Sequence, residues 1–188
     1  MNFLSCQQEN PEFLNNYLKY KRFIEFGAET TVNETYFDLR TFFRYIKLKD
    51  NNEILSRDLM KKTSIVDITT KDFITITKKD IEDYIFFLKN DLENSIKTRN
   101  RKLATLKKFF QYLLNNNYIT VDPTKFIKSG QTEKRLSKHL NLNESKKLLS
   151  ITITKNSRNN IRNYAIICLF LNCCLRLSEL VNINITDI

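Results

Sequence analysis

The chain has 188 residues, of which 41% are hydrophobic, with only two Gly and two Pro; it has enough apolar content to bury a core, which excludes a disordered chain, and too little turn chemistry for a many-stranded one. A mainly α protein is expected. The net charge of +10 is lopsided: residues 1–94 hold 14 Lys and Arg against 16 Asp and Glu, while residues 95–188 hold 17 against 5, which points to an anionic partner, with nucleic acid ahead of membrane because no segment has the length of a spanning helix.

Residues 1–6 lack a basic region, an extended apolar core and a small-residue cleavage site, so a cytoplasmic chain is expected. Asn10 and Pro11 predict a helix start, with Phe13, Leu14, Tyr17, Leu18 and Ile24 following until Gly27 stops it. Thr31 and Glu34 suggest a capping box for a second helix, whose Tyr36, Leu39, Phe43 and Ile46 form one stripe. Residues 49–62 read as a polar loop. Thr77 and Asp80 precede a third helix with Ile81, Ile85, Leu88 and Leu92 inward, and Ser95 leads into a fourth with Leu103, Leu106, Phe110 and Leu113. Four such helices close one small core over residues 1–127.

The stretch KFIKSGQTEKRLSK then reads as a basic linker, assigned to 128–138, ahead of a second region at 139–188. There Asn143 and Glu144 start a short helix through Leu149, and an apolar, buried helix is expected over 158–175. Cys168, Cys173 and Cys174 lie on or beside that helix and, with Cys6, make no disulfide framework. The sole histidine, His139, has no paired ligand spacing, so neither a metal nor another cofactor is expected.

The fourth helix opens SIKTRNRKLATLKKFFQYL, with Lys97, Arg99, Arg101, Lys102, Lys107 and Lys108 in twelve residues. Arg101, Thr105 and Lys108 share a face, and Thr98 and Asn100 near the start can donate to phosphate or base edges. Charge runs on helices are ordinarily solvated faces; here one supported helix concentrates them. Lys97, Thr98, Arg99, Asn100, Arg101, Lys102, Thr105 and Lys108 are therefore the candidate contacts to double-stranded DNA. Near the end, Cys173-Cys174-Leu175-Arg176-Leu177-Ser178-Glu179-Leu180 puts an arginine one turn before a glutamate. A guanidinium fork matches phosphate oxygens bidentately, and Glu179 can orient it. Elsewhere such a pair is an ordinary solvated ion pair.

Three segments together resemble the tyrosine recombinases, the phage integrase and Xer-like site-specific recombinases. Ser95, Thr98, Asn100, Arg101, Leu103, Leu106 and Phe109 match the last long helix of that family's core-binding domain; YFDLRTFFRYI from Tyr36 to Ile46 is similar to its second helix; and Arg176, Ser178, Glu179 and Leu180 match the R-x-S-E-L motif that opens the catalytic domain. The resemblance implies a four-helix, SAM-like core-binding domain that clamps DNA, followed by the helical beginning of an α/β catalytic domain. It makes Arg176 the first active-site arginine and Glu179 its support.

The family's chemistry, DNA recombination and integration through a 3′-phosphotyrosyl intermediate, uses a tyrosine nucleophile with two arginines, a lysine and histidine or tryptophan partners. All eight tyrosines and His139 precede Arg176, and no H-x-x-R follows it. The chain is therefore expected to be an N-terminal fragment that binds DNA without a nucleophile and does not cut it, with no small-molecule substrate and no membrane partner, and with other recombinase protomers as further partners. Cys174 stands where the family usually has Gly. A non-catalytic DNA-binding or regulatory module at recombination sites is the alternative; a basic RNA-binding protein is a third, for which no aromatic platform or RNA motif speaks.

Overall fold

The computed structural model describes residues 9–50, 57–133, 136, 138–154 and 158–187. The readings of residues 1–6, including Cys6, and parts of the expected loop and linker (51–56, 134, 135 and 137) fall outside them. Among the described residues every regular element is helical, and no helix is long and apolar enough to cross a membrane. The chain forms two compact units, residues 1–133 and 134–188.

In the first unit α1 (Glu12–Phe23), α2 (Glu29–Asp50), the short α3 (Arg57–Lys62), α4 (Lys78–Asn90) and α5 (Ile96–Asn115) enclose one core. Apolar residues at helical spacing carry α2, α4 and α5 into it: Leu39, Phe42 and Phe43 from α2, Ile81, Tyr84 and Leu88 from α4, and Leu103, Leu106, Phe109, Phe110 and Leu113 from α5. The centre is aromatic. Phe73 lies 5.0 Å from Phe43 and 5.4 Å from Phe109, and Phe42 meets Tyr84 edge-on at 5.0 Å, arrangements that add about 0.5–1.5 kcal/mol per pair beyond area burial.

Several boundaries differ from those expected. Pro11 is the cap of α1 rather than its first helical residue, and α2 begins at Glu29, two residues before Thr31. The polar stretch 49–62 is not a single loop: α2 runs through Asp50 and 57–62 is helical. Gly27 does not supply the unusual dihedral after α1; Phe26 does, at φ 52°. Gly27 is needed for close approach, since a Cβ there would sit 2.9 Å from the Lys21 carbonyl oxygen. The Thr77–Asp80 capping box and the Ser95 cap form as expected.

In the second unit α6 (Leu142–Thr154) is opened by reciprocal bonds between Asn141 and Glu144, not by Asn143, and extends five residues beyond Leu149. It is followed by α7 (Asn160–Cys173) and α8 (Leu177–Val181). The expected burial of α7 is not found: it packs on α6, yet none of its residues is buried. A helix apolar nearly all round needs cover on several sides, and among the described residues of this unit α6 supplies one.

Candidate nucleic-acid interface

The N-terminal half of α5 is fixed before it can meet anything. The Ser95 hydroxyl accepts from the Thr98 backbone N–H at 3.3 Å and lies 3.0 Å from its hydroxyl. Asn100 is a latch: its amide donates to the Gly130 carbonyl at 2.7 Å and accepts from the Gly130 N–H at 2.9 Å. Lys107 donates to the Ile127 carbonyl. Residues 127–130 thus lie strapped along α5.

Asp38 of α2, 2% exposed, organises the next turn. Its carboxylate accepts from Lys102 Nζ at 2.9 Å, Arg101 Nη1 at 2.7 Å and Thr105 Oγ1 at 3.2 Å. Lys102 is itself buried, at 8% exposure. Arg101 also lies 3.7 Å from Glu34, so two cations meet two carboxylates here, and the half-exposed Arg101 side chain brings the cluster to the surface.

The eight α5 candidates therefore divide. Lys97, Arg101 and Lys108 are exposed at spacings of four and seven, which puts them on one face. Ala104 is exposed between them, and its small side chain leaves room for a backbone to approach. Lys102 and Thr105 face Asp38, Thr98 belongs to the cap, Asn100 holds Gly130, and Arg99 lines a separate groove between α4 and α5, with its Nε buried and without a hydrogen-bond partner among the described residues. Lys21, Thr31 and Thr35 line a shallow groove of about 160 Å³ beside Arg101, Ala104 and Lys108. The sequence reading missed Ala104 and this α1–α2 wall; the spacing 97, 101, 104, 108 was the available signal.

In the second unit Arg176 caps α8. Its backbone N–H donates to Glu179 Oε2 at 2.8 Å, and its guanidinium donates to Glu179 Oε1 at 2.9 Å. One carboxylate thus fixes both ends of the residue, while the side chain stays 83% exposed with donors free for an oxyanion. The expected support at the edge of a core is instead this local clamp. Cys174 ends α7 at φ 51° and ψ 31°, the left-handed region that costs a non-Gly residue about 1 kcal/mol or more. Among the described residues no group of three His, Cys, Asp or Glu could hold a metal.

Tyrosine recombinase XerC of Caldanaerobacter subterraneus subsp. tengcongensis is 36% identical over 182 residues, covering 95% of this chain and 50% of that protein. Tyrosine recombinase XerD of Rickettsia conorii is 31% identical over 140 residues, covering 73% of this chain and 45% of its own length. Tyrosine recombinase XerD of Oceanobacillus iheyensis is 25% identical over 161 residues, covering 86% and 47%. The chain spans about half the length of these curated relatives. No family profile matches it, and no solved structure does. The similarity to XerC covers 95% of the chain and so extends into both units, and on that extent the chain belongs to the tyrosine recombinase family.

Proposed function

We propose that these 188 residues are the DNA-gripping portion of a site-specific recombinase, in which the exposed stripe of α5 holds duplex backbone phosphates and Arg176, oriented by Glu179, holds the phosphate at which the whole enzyme acts. The observation that carries the reading is the division of α5: Lys97 and Lys108, which make no ion pair among the described residues, share one exposed face with Arg101, which Asp38 anchors, while the polar residues around them fix the helix in place. A helix so braced presents its charges without reorganising. Phosphate contacts of this kind set register on the duplex and supply most of the non-specific affinity.

Cutting requires a nucleophile in line with the leaving oxygen. Each tyrosine precedes Arg176, and of the first unit's tyrosines Tyr17, Tyr36, Tyr45 and Tyr84 are buried, with burial pushing the Tyr17 and Tyr84 phenols well above the ordinary range. As given, the chain binds DNA in the cytoplasm, alone or beside recombinase protomers, and does not cleave it. The test is incubation with a nicked suicide substrate and a denaturing gel: shifted duplex under native conditions with no covalent adduct is expected, and an adduct that vanishes on changing a tyrosine to phenylalanine contradicts the reading.

A further inference from the structure

A second cationic site lies on the flank of α2 turned away from α5. Arg40 follows Asp38 by two residues, a rotation of about 200° at 3.6 residues per turn, so the two point to opposite sides of the helix. Arg40 and Arg44, one turn apart, line a groove of about 380 Å³ with Lys61, Lys62 and Ser64. The guanidinium of Arg40 is held 5.1 Å over the Tyr36 ring and 5.0 Å from that of Phe37. Arg44 donates through Nε to the Thr63 carbonyl at 2.8 Å, which leaves its terminal nitrogens for another acceptor.

Carboxylates do not balance this cluster. Glu9 lines the same groove and acts on Arg44 electrostatically, but among the described residues no carboxylate makes an ion pair with Arg40, Arg44 or Lys62, and Lys61 has Asp58 at 3.7 Å, both largely exposed. Burial first and the neighbouring Arg40 second hold the Arg44 guanidinium below its ordinary value, a cost that a bound anion would remove. Neighbouring structured elements conventionally pair such cations; two oriented guanidinium forks and two lysines converging on one groove are instead the donor set that a tetrahedral oxyanion takes.

We propose that Arg40, Arg44, Lys61 and Lys62 form a phosphate-binding site separate from the α5 stripe. Its phosphate comes from the backbone of a second stretch of nucleic acid or from a small phosphate-bearing ligand. The full chain, labelled to report arginine Nε–H resonances, is titrated with inorganic phosphate and, separately, with a duplex, each against chloride at equal ionic strength. Arg40 and Arg44 are expected to shift and saturate with at least one probe beyond the chloride response. The Arg44 response should be weakened several-fold in Arg40→Gln and likewise in Lys61→Ala/Lys62→Ala, whose exposed lysines can be removed without disturbing the fold. A response to duplex identifies backbone phosphate as the source, and a response to phosphate alone identifies a small ligand. Silence of both arginines with both probes, or undiminished affinity in the lysine variant, overturns the site; Arg101 responding to duplex while Arg40 and Arg44 stay silent sinks it and leaves the α5 reading intact.

Discussion

Asp38 on α2 and Lys102 on α5 form a buried ion pair 2.9 Å long across 64 positions of sequence, and this contact pins the basic helix to the core. Removing one partner of such a pair strands the other charge in a low-dielectric interior. Asp38→Ala should lower unfolding stability by about 3–5 kcal/mol in urea titrations, whereas the double change Asp38→Leu/Lys102→Met should recover most of it. A loss below about 1 kcal/mol for the single change would mean that Lys102 reaches water.

Tyr84 is fully enclosed, and its hydroxyl has no hydrogen-bond partner among the described residues. A buried hydroxyl without a hydrogen bond is a desolvation cost. Tyr84→Phe keeps the ring edge-on against Phe42 and removes that cost, so the thermal midpoint should hold or rise. A drop equivalent to more than about 1 kcal/mol, the net value of an ordinary hydrogen bond, would reveal a partner for the hydroxyl.

Asp80 joins helix capping to an ion pair. It accepts from the Thr77 N–H at 2.8 Å and from Lys49 Nζ at 2.7 Å. Burial pushes its carboxyl up, but the bonds from Lys49 and Thr77 outweigh that and hold it at about 2. A carboxyl depressed in the folded state stabilises above its unfolded value near 4 and loses that contribution as pH falls toward 2. Denaturation midpoints measured from pH 6 to pH 2 should therefore decline more steeply in the parent than in Asp80→Asn; parallel slopes would show that Asp80 does not carry this dependence.

Beyond Ile127 no described residue is buried, so the two units should differ in resistance to cleavage. Limited proteolysis is expected to leave a fragment that ends between residues 131 and 141, and equal protection of α6 and α7 would contradict this.

The helices of the first unit were legible because apolar spacing and local capping chemistry act within a few residues: Thr77 and Asp80 announce α4, and Ser95 announces α5. What could not be read were partners far apart in sequence. Lys102 looked like Lys108 until Asp38 took it, and Asn100 looked like a base reader until Gly130, thirty residues on, occupied its amide. Much of the pattern that carries the family resemblance, Ser95, Thr98, Asn100 and Arg101, thus holds the helix in place, and the cations left free between and beyond those positions form the surface. The apolar stripe of α7 was read correctly as apolar and wrongly as buried, since periodicity reports what a helix would cover and not what covers it.

The most direct test of the account is the salt dependence of duplex binding, by fluorescence anisotropy, for the parent chain, Lys97→Ala, Lys108→Ala and Lys102→Met. Each exposed cation that neutralises a phosphate contributes about 0.9 to the slope of log affinity against log salt. Lys97→Ala and Lys108→Ala should each weaken binding and flatten that slope by about one, with Lys102→Met leaving the slope unchanged. Equal slopes for all four chains, or a flattening confined to Lys102→Met, would contradict the assignment of the exposed α5 face as the DNA-binding surface.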